Sequence, residues 1–81
     1  MIARVVVTLK KSVLDPQGVA VKNALDSLGF SLVQDVRLGK YLEVRMDGAD
    51  LKKAETNLKE MCDKLLANPV IEEYKFEIVK E

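Results

Sequence analysis

Residues 13–30, VLDPQGVAVKNALDSLGF, constrain the fold of this chain more than any other stretch. They contain a stop, a turn, a helix start, one amphipathic helix and a helix end. Asp15 is placed to cap, because its carboxylate can accept from the N–H groups two and three residues on. Pro16 fits the first helical position, where its missing N–H costs nothing. Val21, Ala24, Leu25 and Leu28 repeat as i, i+3, i+4, i+7 and predict one buried stripe. Lys22, Asn23, Asp26 and Ser27 take the solvated side, and Gly29 ends the helix as a left-handed cap. Two residues are left over. Gly18 lies in the first turn, where a better helix former is expected, and Val19 projects among the polar side chains. With Gln17 they form a small-featured helix opening suited to another surface, a candidate docking edge.

The segments on either side alternate. Residues 2–10 put Ala3, Val5, Val7 and Leu9 on one face and Arg4, Thr8 and Lys10, with Val6, on the other, which predicts a strand with one buried face. Residues 32–46 read as a hairpin around Leu38-Gly39-Lys40. A two-residue Gly39-Lys40 loop mixes apolar and charged residues on both faces. A three-residue Arg37-Leu38-Gly39 loop with Gly39 left-handed puts Leu32, Val36, Leu42, Val44 and Met46 together, with only Gln34 intruding. Face pattern sets register, so the glycine-bulge loop is favoured. Asp47-Gly48-Ala49-Asp50 is a turn with Asp50 as cap. A second helix runs to about Ala67 on a stripe of Leu51, Ala54, Leu58, Met61, Cys62, Leu65 and Leu66, and Asn68-Pro69 stops it. Residues 70–79 form the last strand. The order strand, helix, strand, strand, helix, strand is α+β: the βαββαβ ferredoxin-like arrangement, a four-stranded antiparallel sheet with both helices on one face. Residues 1–81 make a single domain.

The other sheet face is left bare, and a chain this short has neither disulfides nor a metal cluster to support it. Oligomerisation is therefore expected as an additional source of stability. Thirteen basic residues balance thirteen acidic ones. That neutrality gives no electrostatic footprint for nucleic acid or an anionic membrane. One cysteine cannot bridge internally, so the cytoplasm is the simplest compartment. No signal peptide and no membrane span are read.

The chemical inventory is thin. No histidine is present, which removes the commonest general base and metal ligand. Cys62 lies on the apolar stripe beside Met61 and Leu65, where a buried, inert thiol is expected. Glu72-Glu73 and Asp47/Asp50 read as a solvated strand end and a helix cap. The four glycines do not assemble into a phosphate-binding loop. Arg37 and Lys40 flank Gly39 in a basic turn able to meet an anionic group or a partner carboxylate. No catalytic, cofactor or metal residue is read; Gln17, Gly18, Val19, Arg37, Gly39 and Lys40 are the candidate interaction residues. Fold alone does not choose a function here. A protein-interaction subunit leads, and a small-metabolite-binding regulatory domain is the alternative.

The motif at residues 13–30 resembles the PurS family, the small subunits of phosphoribosylformylglycinamidine synthase. The resemblance recurs at VRLGKYLEV, residues 36–44, and at KLLANPVIEEY, residues 64–74. It implies a complex of three kinds of subunit in purine biosynthesis. A glutaminase releases ammonia. A large synthetase uses ATP and magnesium to convert formylglycinamide ribonucleotide to the amidine. The PurS-like subunit brings the two together and assists ammonia transfer without catalytic residues or cofactors of its own.

Overall fold

The computed structural model describes residues 1–80. Strand β1 (Ile2–Leu9), helix α1 (Pro16–Ser27), strand β2 (Gly39–Arg45), helix α2 (Leu51–Met61) and strand β3 (Glu72–Val79) follow in order, with a π turn at Cys62–Leu66 closing α2. The sheet is antiparallel in the order β2-β1-β3. Val5 lies between Leu42 and Phe76, so the predicted alternation carries straight into the register. Ala3, Val5 and Val7 on one face are buried against Leu58 and Cys62, with Leu42, Val44 and Phe76 packed around them. On the opposite face Arg4 Nη1 meets Glu77 Oε1 at 3.5 Å.

Helix α2 begins where its cap predicts, with Asp50 Oδ1 accepting from the Lys53 N–H at 3.2 Å. Its end differs from a plain helix. The Ala67 N–H donates to the Cys62 carbonyl at 2.9 Å, five residues back, so the last turn holds one extra residue. That residue rotates the stripe. Leu66 and Ala67 turn inward, while Leu65, expected in the core, is 82% exposed. Tyr74 Oη donates to Asp63 Oδ1 at 2.8 Å and ties β3 to this turn. That bond, with burial, pushes the phenol pKa up to about 12. The Asn68 carbonyl accepts from the Ile71 and Glu72 N–H groups, which delays β3 to Glu72.

Three expectations are corrected. The sheet has three strands among the described residues, because residues 32–38 do not form the predicted hairpin with β2. Gly39 is not left-handed; only Gly29 and Gly48 have positive φ. Gly39 instead pairs with Thr8 in β2, so close that an added Cβ would lie 2.5 Å from the Val7 carbonyl oxygen. Nor do both helices cover the sheet. The α1 stripe is open: Val21, Ala24 and Leu28 are exposed, and Leu28 keeps 73% of its surface. Helix α1 and the return segment after it form an arm reaching beyond the sheet. The radius of gyration is 16.2 Å, against about 12 Å for a compact domain of this length. The principal extents are 49 × 28 × 14 Å.

The reason lies at the root of the arm. Residues 36–38 are held against the start of α1 and the end of β1, not beside β2. Arg37 Nη2 donates to the Lys10 carbonyl at 2.9 Å and to the Val13 carbonyl at 2.8 Å. The Val36 carbonyl lies so close over Gly18 that an added Cβ would sit 1.9 Å from its oxygen. This explains the glycine in the first helical turn. Alanine in place of glycine favours a helix by about 1 kcal/mol, but backbone overlap of this depth costs about 1–3 kcal/mol or more. The steric cost wins, so Gly18→Ala lowers the melting temperature by about 4 °C or more. A thermal melt checks the sign: a higher melting temperature would mean that the arm root yields freely.

Candidate functional site

The family-like motifs converge at the sheet end where β1 finishes and α1, β2 and β3 begin. A shallow cleft of about 310 Å³ is lined there by Gln17, Leu38, Gly39, Lys40 and Glu72, with Asp15 in its wall. Gln17 comes from the first motif, Leu38, Gly39 and Lys40 from the second, and Glu72 from the third.

Asp15 organises this end. It is 4% exposed, and its two carboxylate oxygens do different jobs. Oδ1 accepts from the Gly18 N–H at 3.0 Å, the expected helix cap. Oδ2 accepts from the Leu38 N–H at 2.7 Å, across 23 residues. The Leu38 and Gly18 N–H groups, assisted by the Arg37 charge, hold the carboxyl pKa below its ordinary value despite desolvation. The Leu38 contact is the part that sequence reasoning missed. A lone Asp before Pro signals a cap and nothing about a second donor so far along the chain.

The six candidate interaction residues separate into three groups. Gln17, Gly39 and Lys40 line the cleft. Gly18 is buried beneath Val36, and the Arg37 guanidinium binds two backbone carbonyls, so both brace the arm root. Val19 is exposed on α1, away from the cleft lining, as the helical phase predicts. What the cleft offers is polar recognition: one ammonium group, one carboxylate, one amide and an apolar wall. Cys62 is fully buried, and burial with the neighbouring Asp63 charge pushes its thiol up, away from nucleophilic use. Among the described residues no three carboxylates or cysteines gather to hold a metal ion. No described helix is long and apolar enough to cross a membrane. On the bare sheet face a second open cleft, about 280 Å³, runs between Arg4, Tyr41, Lys75 and Glu77.

The Asp15 geometry gives a pH dependence. A carboxylate whose folded pKa is depressed stabilises above its unfolded value, about 3.9. That contribution is lost as pH falls through the depressed folded value. Wild-type stability should therefore drop with acidification below about pH 4. Asp15→Asn should be less stable near neutrality and show a shallower acid slope. Urea melts across pH 3–7 check this, and parallel slopes for the two proteins would reject it.

Comparison with known proteins agrees with this arrangement. The family model described as PurS, phosphoribosylformylglycinamidine (FGAM) synthase, matches residues 2–80. The phosphoribosylformylglycinamidine synthase subunit PurS of Bacillus subtilis is 53% identical over 75 residues, covering 93% of this chain and 88% of that protein. The crystal structure of Methanocaldococcus jannaschii PurS, one of the subunits of formylglycinamide ribonucleotide amidotransferase, superposes with a TM-score of 0.88 at 40% identity, covering 99% of this chain and 96% of that one. A chain in the structure of PurLQS from Thermotoga maritima gives a TM-score of 0.83 at 28% identity, covering 98% of this chain and 99% of that one. With all three motifs in place and the match running the length of the described fold, this chain belongs to the PurS family.

Proposed function

We propose that this chain is the non-catalytic assembly subunit of phosphoribosylformylglycinamidine synthase. In this reading it associates with itself as a dimer or tetramer in the cytoplasm. It brings a glutaminase subunit and a large synthetase subunit together and assists ammonia transfer between them. ATP and magnesium are used by the synthetase, and this subunit carries no cofactor. The observation that carries the reading is the end-to-end match to PurS chains, one of which stands inside a PurLQS structure. The site supports it. The motif residues build a polar, recognition-type cleft with no nucleophile or histidine at it, and the arm presents apolar surface.

The physical case for such a subunit is containment. Ammonia protonates readily in neutral water, and ammonium is not a nucleophile. A docking subunit that keeps water from the transfer route preserves the reactive form. A small protein suits this task because it needs only surfaces, and surfaces are what this chain presents.

Glutamine-dependent synthesis of the amidine should appear only when this chain joins the other two subunits. Equal rates from the two large subunits alone would reject the reading. The Lys40 side chain is exposed at the cleft and has no hydrogen-bond or ion-pair partner among the described residues, its backbone pairing with Val7 in the sheet. Lys40→Glu should therefore leave the fold intact and weaken complex formation about tenfold, the effect of one lost charge pair of about 1.4 kcal/mol. Light scattering of the mixed subunits reads this directly, and unchanged assembly would remove Lys40 from the interface.

A further inference from the structure

The cleft at the root of the arm holds charges that the fold does not use. Lys40 pairs with Val7 on one side of β1, and Glu72 pairs with Leu9 on the other. Neighbouring strands stand about 4.8 Å apart, so these two positions are about 10 Å apart across the sheet and two residues apart along it. Their parity puts both on the sheet face of Val7 and Leu9, which floor the cleft. Opposite charges therefore line one cleft of about 310 Å³ without forming an ion pair. The Gln17 side-chain amide lines it too, and has no hydrogen-bond partner among the described residues. Glu72 commits Oε1 to the Asn68 N–H at 2.7 Å. A carboxylate has about four lone-pair sites, so acceptor capacity remains.

The balance of charge selects the ligand. Asp15, in the wall, is already spent on the Gly18 and Leu38 N–H groups, with the Arg37 charge beside it. One ammonium and one carboxylate are left. A simple anion on Lys40 would share the cleft with the Glu72 carboxylate, and a simple cation on Glu72 would share it with the Lys40 ammonium. A small molecule that carries both charges leaves neither group unpaired. Size sets a second limit. Ligand pockets run from about 300 to 1,000 Å³, and this cleft lies at the lower end, the scale of a metabolite with few heavy atoms. The floor of Val7 and Leu9 suits methylene groups. The Gln17 amide both donates and accepts, which matches another carboxamide.

We propose that this cleft binds a free α-amino acid with a short polar side chain, its carboxylate on Lys40, its ammonium on Glu72 and a side-chain carboxamide on Gln17. The framework is set before the ligand arrives, because the Asp15 and Arg37 hydrogen bonds hold the wall in place. Little ordering cost is then added on binding. This goes beyond the assembly role. Occupation turns the bare Lys40 ammonium into a neutral pair, so the rim offered to another subunit differs between the free and the loaded chain.

The full chain is titrated with L-glutamine as the probe. Calorimetry should show saturable binding, and the melting temperature should rise by about 5 °C or more at ten times the dissociation constant. N-acetyl-L-glutamine lacks the ammonium and L-glutaminamide lacks the carboxylate. Each should bind about tenfold more weakly, the loss of one charged contact. Lys40→Met alters an exposed side chain and should weaken L-glutamine by about the same factor. In that variant L-glutamine and L-glutaminamide should bind alike, since the carboxylate has no partner left. A merely structural effect would weaken both and keep their ratio. Glu72→Gln retains an oxygen for the Asn68 N–H and should erase the preference over the acetylated form. No saturable binding of L-glutamine, equal binding of either blocked form to the unaltered chain, or an unchanged preference in Lys40→Met would each overturn the site. The titration needs no other subunit, so its outcome is independent of the assembly role.

Discussion

One buried carboxylate decides the shape of this protein. Asp15 caps α1 with one oxygen and holds the Leu38 N–H with the other. Both hydrogen bonds engage a charged acceptor, which makes them stronger than neutral ones. The Arg37 guanidinium closes the same junction from the other side through the Lys10 and Val13 carbonyls. Gly18 lets the two backbones touch. Together these residues convert what would be a hairpin into a run that passes the end of β1 and enters β2 at Gly39. Everything distinctive follows: a missing fourth strand, an uncovered helix, and a cleft where three chain segments meet.

That junction also explains why the most distinctive sequence motifs lie far apart in the chain. DPQG and RLGK are two halves of one structural joint, and the stretch around Glu72 borders the same cleft. In this chain, residues that look like a recognition signature therefore have a first duty to the fold. Asp15, Gly18 and Arg37 are occupied inside the joint. Gln17 and Lys40 face outward from it and are the ones available to another molecule, while half-buried Glu72 accepts the Asn68 N–H through Oε1 at 2.7 Å. A rigid joint beneath an exposed rim is a useful arrangement for a docking subunit. Less side-chain and loop freedom is lost on binding when the framework is fixed beforehand.

The sequence was legible wherever the information was local. The caps at Asp15 and Asp50, Pro16 at the first helical position, the left-handed Gly29 and the alternation of β1 all appear where their chemistry predicts. So does the buried, unreactive environment of Cys62. The return segment was misplaced for a different reason. Its alternation correctly signals a strand-like surface, but pattern says nothing about which edge receives it, and the Asp15–Leu38 contact that redirects it joins residues 23 apart. The π turn was missed likewise. One inserted residue at Cys62–Leu66 leaves the apolar spacing plausible for a regular helix while rotating Leu65 outward. Of the candidate site, the residue types were readable and their division into braces and rim was not, because that division depends on backbone carbonyls.

The small core leaves much of the chain's apolar surface open. Few large side chains are fully buried, Leu58, Val5, Val7 and Cys62 among them, while most of the large apolar residues on the arm remain open. A domain of about 80 residues is marginal even when it buries its apolar surface well. Covering exposed leucines on a second surface adds about 1.5–3 kcal/mol for each side chain fully buried, which is large beside the total stability of such a domain. A surface that binds only the folded chain stabilises it by mass action. Any surface that covers the arm therefore couples its own binding to the folding of this chain.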